Sequence, residues 1–178
     1  MDFSIDTIRS KLVGGGARPT LFSVQLLSPF DANLAINSPF MIKAASLPAS
    51  TIGEFNIGYM GRKLKVAGDR AYDDWTVTVL NDENFDIRSA LEKWSNAIQD
   101  PVTNLRNSGA TSAISSYKAD ATVTQYNKLG EAIYQYKFQG MFPKSVADIT
   151  LDWDTTDQIE TFQVTLSYDY FTQTDLIA

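Results

Sequence analysis

Cysteine and histidine are both missing from this 178-residue chain, and their absence removes whole classes of chemistry. Without a thiol there is no disulfide framework, thiolate nucleophile or Cys-His pair; without an imidazole there is no Ser-His-Asp relay, and zinc loses its common ligands. Positive charge is the scarcer sign. Fifteen Lys and Arg against 21 Asp and Glu leave a formal net charge of -6, so no phosphate-neutralising patch is expected. The start, MDFSIDTIRSK, lacks the basic stretch and apolar run of a secretory signal. No apolar run approaches membrane-spanning length, which predicts a soluble protein made where it assembles.

What is present points to sheet. Aromatics make up 12% of the chain, with 8 Tyr and 10 Phe, and these residues favour strands. The length suits one domain, 1–178, with a core of its own. Residues 1–18 contain Gly14-Gly15-Gly16 and read as a flexible arm. Strands are expected at Thr20–Leu27, Phe40–Leu47, Ile52–Met60, Lys63–Val66 and Trp75–Leu80, the last with Trp75, Val77 and Val79 on one face. Pro48 ends the second. One helix is expected, Glu83–Ile98, where Ile87, Leu91, Trp94 and Ile98 form an apolar stripe after a cap at Asn81 or Asp82. Asp100-Pro101 closes it. Residues 102–116, rich in Ser, Thr, Asn and Gly, read as a long loop, and Ala121–Gly140 as a hairpin turning at Asn127–Gly130. In the final strand, Ile159–Tyr170, the residues Phe162, Val164, Leu166, Tyr168 and Tyr170 oppose a polar face of Thr161, Gln163, Thr165, Ser167 and Asp169.

Candidate chemistry is thin. Asp148, Asp152, Asp154, Asp157 and Glu160 could hold a cation, but reading Asp152 as the first position of a calcium loop puts Asp157 where glycine is needed and Gln163 where the bidentate Glu belongs. A carboxylate pair for hydrolysis would need a cleft, and the sequence indicates none. Gly14-Gly15-Gly16-Ala17-Arg18 lacks the Lys-Ser/Thr ending of a phosphate loop. Trp75, Trp94 and Trp153 have no basic groove beside them and are expected in the core. No metal or cofactor is expected. Arg62, Lys63, Lys65 and Arg70 form a basic cluster that could meet the acidic run on another copy, a head-to-tail contact that builds rings or filaments.

Three segments carry a resemblance: GRKLKVAGDRAYDDWTVTVLND from Gly61, GMFPKSVADITLDW from Gly140 and FQVTLSYDY from Phe162. With weaker matches at Ala17-Arg18-Pro19 and KAASLPA from Lys43, the chain resembles the tail-tube subunits of contractile-tailed bacteriophages. The resemblance implies a mainly β protein, an antiparallel sandwich or partly closed barrel with one flanking helix, that catalyses nothing. It implies hexameric rings stacked into the hollow inner tube of the virion's tail, assembled in the host cytoplasm, with sheath, baseplate and terminator proteins as partners. A ring of roughly 24 strands, ~4.8 Å apart and tilted ~45°, has a backbone diameter of about 50 Å, wide enough for duplex DNA. On this reading Thr161, Gln163, Thr165, Ser167 and Asp169 face the lumen, where DNA passes unbound. Stacking falls to the loop 52–74, with Arg62, Lys63, Lys65, Arg70, Phe55, Ile57 and Tyr59, to Asp152, Asp154 and Asp157, to the arm and to a carboxyl-terminal extension, 171–178. A tube of a type VI secretion system or contractile bacteriocin is the nearer alternative. A carboxylate-dependent hydrolase is the remoter one.

Overall fold

The computed structural model describes residues 4–106 and 113–176. Its frame is two antiparallel sheets that share one long strand. β1 (Phe22–Leu26), β6 (Ala119–Tyr126), the first part of β7 (Ala132–Val146) and β9 (Tyr170–Asp175) make one sheet. The second part of β7, β8 (Thr161–Ser167), β5 (Trp75–Leu80) and β2 (Ile42–Ala45) make the other. β7 changes sheets between Gln139, which pairs with Tyr170 of β9, and Phe142, which pairs with Ser167 of β8. Strands that switch sheets in this way form the corners of sandwiches.

Gly140 makes the corner possible. Its φ of 67° lies in the left-handed region, and a β-carbon there would meet the Asp169 carboxylate at 2.1 Å. Gly140→Ala combines backbone strain with displacement of Asp169, which is held 2.6 Å from the Lys118 ammonium. It should cost about 2 kcal/mol or more. A urea titration showing a loss below ~0.5 kcal/mol would remove the corner's dependence on glycine.

The core follows from alternation. Val24 and Leu26, Ala121 and Val123, Phe138 and Met141, Trp75, Val77 and Val79, and Phe162, Val164, Leu166 and Tyr168 all turn inward and are buried. Each full burial of such a side chain contributes about 1.5–3 kcal/mol. Helix α3 (Asp86–Ile98) adds Ile87, Ala90, Leu91 and Trp94 to the same cluster. The Trp94 indole donates to the Tyr117 carbonyl at 2.7 Å and the Trp75 indole to that of Ser46 at 2.8 Å, so neither buried N–H is orphaned. Below α3, Asp100 accepts from the N–H groups of Val102 and Thr103. Those bonds favour its charged form and hold its carboxyl below the usual range.

Several expectations need correction. The expected lone helix has two companions among the described residues. α1 (Ile5–Lys11) occupies part of the supposed arm, capped by the Ser4 hydroxyl on the Asp6 N–H. α2 (Asn33–Met41) takes the start of the expected strand Phe40–Leu47 and ties β1 down through a bond from the Leu26 N–H to the buried Ser38 hydroxyl. α3 begins at Asp86, because residues 82–85 form a turn whose Asp82 carboxylate accepts from the Asp86 N–H. β7 does not stop at Gly140 but runs on to Val146. The final strand breaks after Ser167: Tyr170 opens β9, which pairs with β7 and draws 171–175 into the sheet rather than leaving an extension. Residues 107–112 of the long loop, 1–3 of the arm and the last two of the extension lie outside the described residues. The sheet path is open, ending at β1 and β2, so no barrel closes among the described residues of one subunit.

Candidate assembly interface

Between β2 and β5 the chain leaves the sandwich as a two-stranded hairpin, β3 (Ser50–Tyr59) with β4 (Arg62–Tyr72), paired to neither sheet. The strands expected at Ile52–Met60 and Lys63–Val66 are present and longer, so the assembly loop 52–74 is almost wholly strand. At ~3.3 Å per residue, the 10 residues of β3 reach about 33 Å. Met60 and Gly61, with φ of 44° and 79°, close it as a two-residue turn of the kind that suits strand twist. Near its base Gly53 opposes both Gly68 and Asp69, and a β-carbon on Gly68 would stand 3.2 Å from the Gly53 carbonyl. Glycine permits that close approach at the bulge. The root is clamped to the core: Tyr72 packs edge-on against Phe171 at 5.5 Å and beside Tyr168 at 5.9 Å, while Asp74 pairs with Lys144 at 2.5 Å.

Register sorts the hairpin side chains into two faces, because directly opposed residues project to the same side. Phe55 opposes Val66, Ile57 opposes Leu64 and Tyr59 opposes Arg62, giving one apolar face; Asn56 opposes Lys65 and Gly58 opposes Lys63, giving one polar face. Both are open to solvent. Phe55, Ile57, Tyr59 and Leu64 are 48–70% exposed, which is unusual for large apolar side chains gathered in one place. The basic cluster is thus divided. Arg62 shares the apolar face with Tyr59. Lys63 and Lys65 point the other way, with Lys65 paired to Glu54 at 3.1 Å, and Arg70 lies beyond the bulge, opposite Ile52.

Asp152, Asp154 and Asp157 remain together on the exposed connection from β7 to β8, where the Asp152 carboxylate accepts from the Asp154 N–H at 3.0 Å. Among the described residues no group of acids is gathered as a metal site. The connection also carries a residue that was expected in the core. Trp153 is 100% exposed, whereas Trp75 and Trp94 are 2% and 0% exposed. The ladder of β5 and β8 separates the two charged elements. Trp75, where the hairpin re-enters, opposes Leu166; Leu80, at the other end, opposes Thr161, where the acidic connection re-enters. They join opposite ends of this ladder, about 17 Å apart along the strands.

Thr161, Gln163 and Thr165 lie on the outward face of β8, and β5 extends it with Thr76 opposite Thr165 and Thr78 opposite Gln163. The Thr76 and Thr165 hydroxyls are 3.5 Å apart. Ser167 closes the strand, and Asp169 lies past its end, paired with Lys118. The result is a sheet face of hydroxyls and amides with little charge.

Residues 17–174 match the family described as phage tail tube protein. The chain belongs to that family. It is 37% identical over 170 residues to the tail tube protein gp19 of Enterobacteria phage T4, a match that spans 95% of this chain and 99% of that one. Among solved structures the fold is similar to the tube-terminating cap of the anti-feeding prophage, with a TM-score of 0.63 and 21% identity over 89% of this chain and 91% of that chain. It is similar as well to a chain of the sheath-tube complex of PVC, an extracellular contractile injection system, in its extended state, with a TM-score of 0.57 and 19% identity over 98% and 100% of the two chains. At those identities the likeness is one of fold. Membership places the chain among the structural proteins of contractile phage tails.

Proposed function

We propose that the protein is the subunit of the hollow inner tube of a contractile phage tail: copies close into hexameric rings, and the rings stack head to tail. The observation that carries this is the hairpin, which exposes apolar and basic side chains and joins the end of the β5–β8 ladder opposite the acidic connection. A two-stranded ribbon with both faces in water is marginally stable by itself, so it calls for cover from another copy. Contact between unlike ends is heterologous, and when the operation does not close it continues as a filament. Complementary charge sets the register and excludes the reversed ring. Sheath subunits then contact the outside, with a baseplate and a terminator at the two ends, and the tube resides in the virion after assembly in host cytoplasm.

The uncharged face of β5 and β8, with Thr161, Gln163 and Thr165, turns to the lumen in this arrangement and lets DNA through without holding it. Ser167 and Asp169 continue it at the rim. The role is mechanical, without catalysis, cofactor or metal. Purified full-length protein, followed by light scattering and negative-stain microscopy through a concentration series, is expected to pass from small particles to hollow filaments. A strictly monomeric protein at every concentration and salt would overturn the reading. Labelled duplex DNA should show no measurable affinity at physiological salt, since a chain of net charge -6 repels phosphate. Sub-micromolar binding with a steep salt dependence would remove the lumen assignment.

A further inference from the structure

Two exposed apolar surfaces have no partner among the described residues, and the elements that carry them join opposite ends of the β5–β8 ladder. One is the hairpin face of Phe55, Ile57, Tyr59 and Leu64. The other is Trp153 with Leu151, which is 78% exposed one residue before the Asp152-Trp153-Asp154 sequence. A bare tryptophan offers on the order of 200 Å² of surface to bury and is among the commonest anchors of protein contacts. It stands between two carboxylates. The hairpin face offers the complement: apolar side chains with the single guanidinium of Arg62 at the tip, a group that both pairs with carboxylate and stacks on indole.

We infer that Trp153, with Leu151, packs against the apolar face of the β3–β4 hairpin of a second copy of this chain, and that Lys63 and Lys65 face away from that contact. The inference rests on the tube reading and specifies the stacking joint within it. A second copy is the occupant because the two surfaces match in both chemistry and placement: apolar on apolar, Arg62 beside Asp152 and Asp154, and opposite ends of the β5–β8 ladder. Burial of the tryptophan then supplies the affinity, and Lys63 and Lys65 act only at long range.

Fluorescence of the full-length protein tests this without any substitution. Trp75 and Trp94 are buried in the subunit already, so a change on polymerisation reports Trp153. The expected result is a blue shift of emission and a several-fold loss of acrylamide quenching as tubes form. Trp153→Ala, whose site is fully exposed and whose fold should be unchanged by circular dichroism, is expected to raise the protein concentration needed for tubes by roughly 30-fold or more. Ile57→Ala should do the same in kind, and the two together should be less than additive, as for residues in contact. Lys63→Gln with Lys65→Gln should polymerise close to the parent concentration. If tubes form while Trp153 stays open to quencher, or if Trp153→Ala polymerises like the parent, the joint is wrong and the tube stands; that outcome assigns Trp153 to a sheath or other contact instead. If the parent makes no tubes at all, the tube reading falls and this inference falls with it.

Discussion

Truncating Phe138 to alanine is expected to lower the stability of the subunit by about 3–5 kcal/mol. Its ring is fully buried, stacks on Trp75 at 4.3 Å between centroids, and meets Tyr168 edge-on at 4.9 Å. Those partners come from β5 and from the turn between β8 and β9, so the ring sits where β7 passes from one sheet to the other. Removing it leaves a cavity lined by side chains that the surrounding strands hold apart, and such sites collapse poorly. Against a typical domain stability of about 5–15 kcal/mol, the loss is large enough to leave part of the protein unfolded at 37 °C. Urea titration should show a lower midpoint with the slope unchanged. Tyr59→Ala, at an exposed position on the hairpin, is the matched control and should move the subunit's stability by no more than about 0.5 kcal/mol. A loss at Phe138 below about 1 kcal/mol would mean that the two sheets are not joined through this cluster.

Half-buried elements were legible in the sequence, and elements whose environment is unusual were not. β5, β8 and α3 show clean periods because one face of each meets the core and the other meets water. α2 shows none: Leu34 and Ser38 are buried while Ile36 and Phe40 are exposed, and Pro39 lies inside it, so neither period nor propensity marks a helix there. The continuation of β7 past Gly140 has no sequence signal, since glycine and Pro143 are breakers in a flat strand, whereas here glycine serves a bend that only tertiary structure reveals. β9 is an edge strand with Thr172, Gln173, Thr174 and Asp175 all exposed, and an outer edge leaves no apolar signature. The charged positions teach a different point. Arg62, Lys63 and Lys65 are a cluster along the chain, but neighbours in a strand face opposite ways, so one cluster in sequence becomes two surfaces in space. The lack of a basic groove beside Trp153 argues against base stacking but does not place it in the core; its two acidic neighbours are the available sign that the segment stays in water.

Reversing Arg62, Lys63 and Lys65 together to Glu is expected to abolish tubes while leaving a folded subunit. The hairpin end would then present acid to the connection that holds Asp152, Asp154 and Asp157. Like charges brought together at a joint cost several kcal/mol when partly desolvated, whereas exposed charges seldom shift folding stability by more than about 0.5 kcal/mol. Circular dichroism should match the parent, and microscopy should show single rings or unassembled protein. Changing Asp152, Asp154 and Asp157 to Lys in the same molecule restores opposite signs across the joint and should bring filaments back, although the acidic change alone should also stop at rings. Rescue by the sixfold reversal distinguishes a charge-matched joint from a hairpin that has merely been damaged. Raising salt toward 1 M, where the Debye length falls to about 3 Å, should partly relieve the block in the basic reversal. If that reversal alone still grows full-length tubes at low salt, charge plays no part in register, and stacking rests on Phe55, Ile57 and Tyr59.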